Sequence, residues 1–236
     1  MDLDKLRARL DRLIGSLQEE DQRSLEVRLR ALISAFPFNE YEYVITFLAD
    51  RRILSFSEYE KLRQDYVSGN RYLDLYGLAP RIFGQVWGEK HLRDLDGRFR
   101  KPDRSIDPNY DGQYDLWLEG VRIEVKAARG INTRQRGSLV AKALPCDSEE
   151  PFWMNFQQLK LDVCEVFVFI GVWVDRIVYW VMSNQEVKDC RFLSHQHRGG
   201  IEHQIGITDR NRTEFNAYLT EPGAVAETVI SKGRRA

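Results

Sequence analysis

The sequence predicts an α/β protein: an all-helical N-terminal region, then a central mixed β-sheet flanked by helices. Three observations predict it. Leucines recur at helical spacing from Leu3 to Leu32, the pattern changes to strand-like alternation between Gln113 and Val125, and Val163–Val174 and Arg176–Met182 have the aromatic, β-branched composition of buried central strands. At 236 residues the chain has room for one large domain, or for one domain with a small helical appendage. The pattern divides it into a helical region, residues 1–70, and a sheet-bearing core with C-terminal recognition elements, residues 71–236.

The elements follow in chain order. Leu3, Leu6, Leu10, Leu13 and Leu17 are spaced alternately by three and four, which makes an amphipathic helix with an a/d seam. Such a seam suits packing on its own domain or the pairing of two copies. Asp21–Ala35 is a second helix with Leu25, Leu29 and Leu32 on one face, ended by Pro37. Asn39 is the candidate cap of a third helix running to Asp50, and Ser55 or Ser57 that of a fourth running to Val67. Ser68-Gly69-Asn70 breaks the pattern. This region is a candidate for dimerisation or DNA contact. Arg71–Leu95 reads as helical with kinks near Gly77 and Pro80, Phe152–Leu161 as a short helix between strands, and Lys232–Ala236 as a frayed tail.

Composition narrows the function classes. No apolar run reaches the roughly 18–20 residues of a membrane span, and the longest is interrupted by Glu165. The N-terminus has no signal-peptide core. Cys146, Cys164 and Cys190 have no paired spacing, which predicts free thiols in a reducing, cytoplasmic setting. Cys190, His195, His197 and His203 cluster locally but lack the spacing of a zinc quartet. The chain contains neither a phosphate-binding Gly-x-x-x-x-Gly-Lys loop nor a Gly-x-Ser-x-Gly elbow, so no nucleotide cofactor and no serine nucleophile are expected.

The chemistry concentrates in Gly112–Arg129. With Glu119-Gly120 as a two-residue turn, the glycine supplying positive φ, Leu118 faces Val121, Trp117 faces Arg122, Leu116 faces Ile123 and Asp115 faces Glu124. Alternation gathers Tyr114, Leu116, Leu118, Val121, Ile123 and Val125 on one apolar face. Gln113, Asp115, Trp117, Arg122, Glu124 and Lys126 take the other. Two carboxylates opposed across a strand pair lie about 4.5–5.5 Å apart at Cβ and repel. A divalent cation relieves that repulsion. Mg²⁺ in particular takes one or two carboxylates and completes its shell with water and phosphate oxygens. Asp115, Glu124 and the main-chain carbonyl of Val125 are the candidate ligands, with Mn²⁺ expected to substitute. Lys126 would sit beside them, to help deprotonate the attacking water or to stabilise the pentavalent phosphate transition state.

Charge around the hairpin points the same way. From Arg122 to Lys142 six basic residues stand against one acid, on a chain whose net charge is -1. Arg129, Arg134 and Arg136 are the candidate phosphate contacts. The donor-rich segment Ser194–Gly200 makes His197 and Arg198, with Gln204 beyond it, candidates for reading base edges.

The string Tyr114-Asp115 … Ile123-Glu124-Val125-Lys126-Ala127-Ala128-Arg129 resembles the PD-(D/E)XK nuclease superfamily. Its pattern is an acid on one strand and an acid-X-Lys triplet on the next, and its members include the type II restriction endonucleases. The resemblance spans roughly Tyr72–Met182. It implies a restriction-endonuclease-like core and Mg²⁺-dependent phosphodiester hydrolysis, with Asp115 and Glu124 as metal ligands and Lys126 as the catalytic lysine. Tyr114 stands where the motif has proline. A literal Pro102-Asp103 precedes Glu124 by 21 residues, so Asp103 is an alternative first acid and Asp111 a weaker third, although the hairpin register favours Asp115. In many relatives an acid from the preceding helix joins the site, which makes Glu89 a candidate. Gln157 is a candidate contact to the site or the scissile phosphate. The expected function is that of a sequence-specific type II restriction enzyme acting on double-stranded DNA, with a homodimer suiting a palindromic site. The alternatives are a structure-specific repair or recombination nuclease and a non-catalytic DNA-binding regulator.

Overall fold

The structure, a computed structural model, describes residues 3–32, 40–195 and 202–234. It divides into two compact units, Met1–Asp74 and Leu75–Ala236. The first unit is helical, with α1 (Leu3–Gly15), α2 (Glu19–Ala31), α3 (Glu40–Asp50) and α4 (Phe56–Gly69). On the leucine seam Leu6 and Leu17 are buried and Leu10 and Leu13 half-buried, so much of that stripe is used within the unit, where α1 packs on α4. Ser55, not Ser57, caps α4. Its Oγ accepts the Glu58 N–H at 3.3 Å while the Glu58 carboxylate accepts the Ser55 N–H at 2.9 Å, satisfying two otherwise orphaned donors. The expected stop at Pro37 and cap at Asn39 lie outside the described residues.

In the second unit a π-helix, Ile82–Gly88, runs into α5 (Glu89–Leu95). The Glu119-Gly120 turn has the two positive φ values, 47° and 93°, of a primed hairpin. It joins β1 (Leu116–Leu118) to β2 (Val121–Arg129) with Leu118↔Val121, Trp117↔Arg122 and Leu116↔Ile123 in register, as alternation predicts. All six residues of the expected apolar face are buried. The sheet then continues through β5 (Val166–Val172) and β6 (Ile177–Ser183) to the short β9 (Leu219–Thr220), in the order β1-β2-β5-β6-β9. β5 runs parallel to β2 and antiparallel to β6. Every residue of β5 is buried, as its unbroken apolar run requires of a strand covered on both faces.

Two coverings differ from the sequence expectation. On one face of this sheet Gly88, at the end of the π-helix, packs over Val125 and Ala127, while the short α6 (Asn184–Lys188) adds Val187 to the core on the other, and α7 (Val225–Gly233) contacts β2, β5 and β6. The other face is covered by a second, antiparallel sheet of β3 (Ile131–Asn132), β4 (Phe152–Leu159), β8 (His203–Thr208) and β7 (Leu193–His195), in the order β3-β4-β8-β7. Phe152–Leu159 is thus a strand where a helix was expected. Phe152, Met154 and Phe156 point inward at period two, while Trp153 and Gln157 point out. Of the tail expected to fray, Lys232 and Gly233 lie in α7, with Lys232 pairing with Glu186 at 2.6 Å, and Arg235 and Ala236 lie outside the described residues.

Among the described residues no helix is long and apolar enough to cross a membrane.

Candidate active site

Three structural devices bring the site together. The first is the early end of β1. Among the described residues no strand residue pairs with β2 beyond Leu116 on that side, and Asp115 leaves the register while its N–H still bonds the Ile123 carbonyl at 3.0 Å. Its carboxylate turns back instead, and Oδ2 accepts the Val125 N–H at 2.8 Å. In a strand the N–H and C=O of one residue point to the same side, so the Val125 carbonyl opens on this uncovered edge as well.

The second device is alternation along β2. Glu124 and Lys126 are in register with Phe167 and Phe169 of β5 and share the face turned to the second sheet. Glu124 is 4% exposed and receives Lys126 Nζ at 2.7 Å. Burial pushes the Glu124 carboxyl up to about 7, Lys126 opposing the shift and Asp115 adding to it. Asp115 is also raised, by burial first, against the pull of Lys126 and the Val125 N–H. Charge on either acid is therefore costly.

The third device is a bulge in β4. Phe156 pairs with Ile205 but Leu159 with His203, so three steps on β4 match two on β8. Gln158 takes up the extra residue at φ 58°, and both Gln157 and Gln158 then face outward.

These devices line a cleft of about 770 Å³ along the uncovered part of β2, with Phe83, Gly84 and Gln85 on one side and Trp153, Asn155, Gln157 and Gln158 on the other. Asp115, Val125, Lys126, Arg129 and Glu89 line it. Glu124 is buried and meets the cleft through Lys126. Glu89, a candidate from the preceding helix, lines the same cleft. Its carboxyl is raised by burial and by Asp115, and it pairs with Lys101 at 3.4 Å. Glu89 and Asp115 also border a smaller pocket of about 290 Å³.

The other candidates are placed elsewhere. Asp103 is exposed and capped into its own turn by the Ser105 N–H at 2.8 Å and the Ile106 N–H at 3.2 Å, and Asp111 is exposed. Arg134 is exposed and 3.7 Å from Glu150, and Arg136 is exposed. Arg129, by contrast, is buried. Gln204 Oε1 accepts from Asn155 Nδ2 at 3.3 Å on the outer face of the second sheet. His197 and Arg198 lie outside the described residues. The sequence reading missed Lys101, Lys160, Trp153, Asn155 and Gln158. The charges of Lys101 and Lys160 reach Asp115, and that of Lys160 also reaches Glu124. No spacing rule could have joined those lysines to the hairpin.

The donor set is all oxygen. Among the described residues no three His, Cys, Asp or Glu side chains form a metal cage, zinc included. A cation held by Asp115, Glu124 and the Val125 carbonyl would need water and ligand oxygens to complete its shell, which is the habit of Mg²⁺. The raised carboxyls fit this, because a dication would restore the charged state that burial disfavours.

No family model matches this chain, and no curated protein matches it in sequence.

Proposed function

We propose that the chain is a Mg²⁺-dependent endonuclease with a restriction-endonuclease-like core, hydrolysing phosphodiester bonds of double-stranded DNA at a specific sequence as a type II restriction enzyme does. One observation carries the reading. A buried acid, Glu124, a half-buried one, Asp115, and a lysine 2.7 Å from the first meet at the uncovered edge of β2, beside an open cleft.

In this reading Asp115, Glu124 and the Val125 carbonyl hold the ion. Mg²⁺ bound there supplies positive charge against the scissile phosphate and acidifies a water for attack. The Val125 N–H fixes the Asp115 carboxylate, so its second oxygen is aimed without reorganisation. Lys126 lies along the cleft and donates to the phosphoryl oxygen on which charge builds. Glu89, joined to Lys101, presents a third carboxylate toward Asp115 and can orient the water. The second sheet, with Gln157 and Gln204 on its outer side, is the surface for base contacts, and a homodimer would cut both strands of a palindrome.

The test is incubation of supercoiled plasmid with Mg²⁺, with EDTA, and with the Lys126→Ala variant. Mg²⁺-dependent linearisation that is absent in the other two supports the proposal. Intact plasmid in all three, or equal cutting by the variant, refutes it.

A further inference from the structure

Arg129 is 8% exposed, yet among the described residues no carboxylate pairs with it. Its guanidinium lies 3.8 Å over the ring of Phe83, and Nη2 gives one hydrogen bond, 2.7 Å, to the Leu78 carbonyl. Nε is buried without a partner. Burial lowers its pKa to about 10, so it stays charged at neutral pH. A buried guanidinium without an anion is costly, and proteins normally supply a carboxylate to offset it. Here the ring and the carbonyl hold the group in place while the charge is left uncompensated, in the wall of the cleft that Asp115 and Lys126 also line. Arg134 and Arg136, by contrast, are solvated.

We infer that Arg129 is a built phosphate site whose counter-ion is supplied by the ligand. The planar fork of arginine matches tetrahedral oxyanions, and its fixing in advance reduces the entropy lost on binding. Three residues of strand separate it from Lys126, about 10 Å at 3.3 Å per residue, too far for both to hold the same phosphate oxygen. Resting on the nuclease reading for this one point, Arg129 holds a phosphate that flanks the scissile one.

The experiment has two arms. In the first, the metal-free protein in EDTA is heated in inorganic phosphate and in chloride of equal ionic strength. Wild type melts higher in phosphate. Arg129→Met loses that difference and, freed of an unpaired buried charge, melts in chloride at least as high as wild type. Arg129→Lys, which keeps charge without the fork, responds more weakly than wild type, and Arg134→Met responds fully. If Arg129→Met does not fold, the Lys variant decides. Wild type indifferent to phosphate, or Arg129 variants with a full response, overturns the inference.

The second arm measures binding of a DNA duplex in Ca²⁺ over a range of salt. Loss of one phosphate contact in Arg129→Met weakens binding about tenfold and lowers the salt slope by about 0.9. An unchanged slope overturns the assignment to DNA phosphate. A chain that responds to phosphate through Arg129 but neither binds nor cuts DNA would refute the nuclease reading and leave the phosphate site standing.

Discussion

Glu124→Gln should make the metal-free protein more stable, although it removes the proposed metal ligand. The folded chain holds the Glu124 proton more tightly than the unfolded chain, because burial lifts its carboxyl from the ordinary 4.5 to about 7. Stability therefore falls as pH rises from 4.5 to 7 and is flat above that. Over that span the cost to the folded state reaches about 3 kcal/mol. Glutamine is nearly isosteric and escapes that cost, its Oε1 can still accept from Lys126, and the attraction of Lys126 for the charged form is already contained in the value of about 7. The gain at pH 8 is therefore about 3 kcal/mol, which at roughly 2–4 °C per kcal/mol is a rise of about 6–12 °C in Tm. Thermal melts in EDTA at pH 8 and pH 5 measure it, and the gain should shrink to about 1 kcal/mol or less at pH 5, where the folded wild-type carboxyl is protonated. A variant less stable than wild type at pH 8, or one whose advantage is the same at both pH values, would refute the argument that charge at this position is paid for in stability.

Three further outcomes follow from the same geometry. Asp115→Ala, Glu124→Ala and Lys126→Ala should each lower the cleavage rate by about 10³-fold or more while DNA binding in a gel-shift assay persists, and cutting retained by any of them removes that residue from the proposed machinery. Mg²⁺ must displace the Glu124 proton below about pH 7, so calorimetry should show proton release and about tenfold weaker Mg²⁺ binding at pH 6 than at pH 8. Equal affinity at the two pH values would show that Glu124 is not a ligand. Gly171→Ala would place a Cβ 2.6 Å from the Trp180 ring and 2.9 Å from Val178, both on neighbouring β6, and should cost about 1–3 kcal/mol in a urea melt. An unaltered midpoint would contradict the packing of β5 on β6.

The parts of the fold legible in the sequence are those dictated by local rules. Glu119-Gly120 and six alternating apolar residues determine the β1–β2 register, because a slip by one would turn all six outward. The all-apolar β5 was legible because an unbroken short apolar run suits a strand covered on both faces. β4 was not. Exposed Trp153 reads as a core residue, and the bulge at Gln157-Gln158 ends the alternation just where a strand would be recognised. At the site, Asp115, Glu124 and Lys126 were found by strand periodicity, yet Asp115 reaches the cleft by leaving the ladder and not by standing opposite Glu124. Arg129 was grouped with Arg134 and Arg136 as one basic run. The residue numbering already separated it from them, since at odd spacing from Lys126 it falls on the face of Val125 and Ala127, where Phe83 covers it. Lys101 and Lys160 are brought in by tertiary packing alone.

The most direct measurement is to digest phage-length DNA with Mg²⁺ and sequence the product ends, beside Glu124→Ala and an EDTA control. The account predicts discrete fragments whose ends share one short sequence, formed only by wild type with metal. Fragments with random ends would contradict the restriction assignment, and DNA left intact by wild type would contradict the nuclease itself.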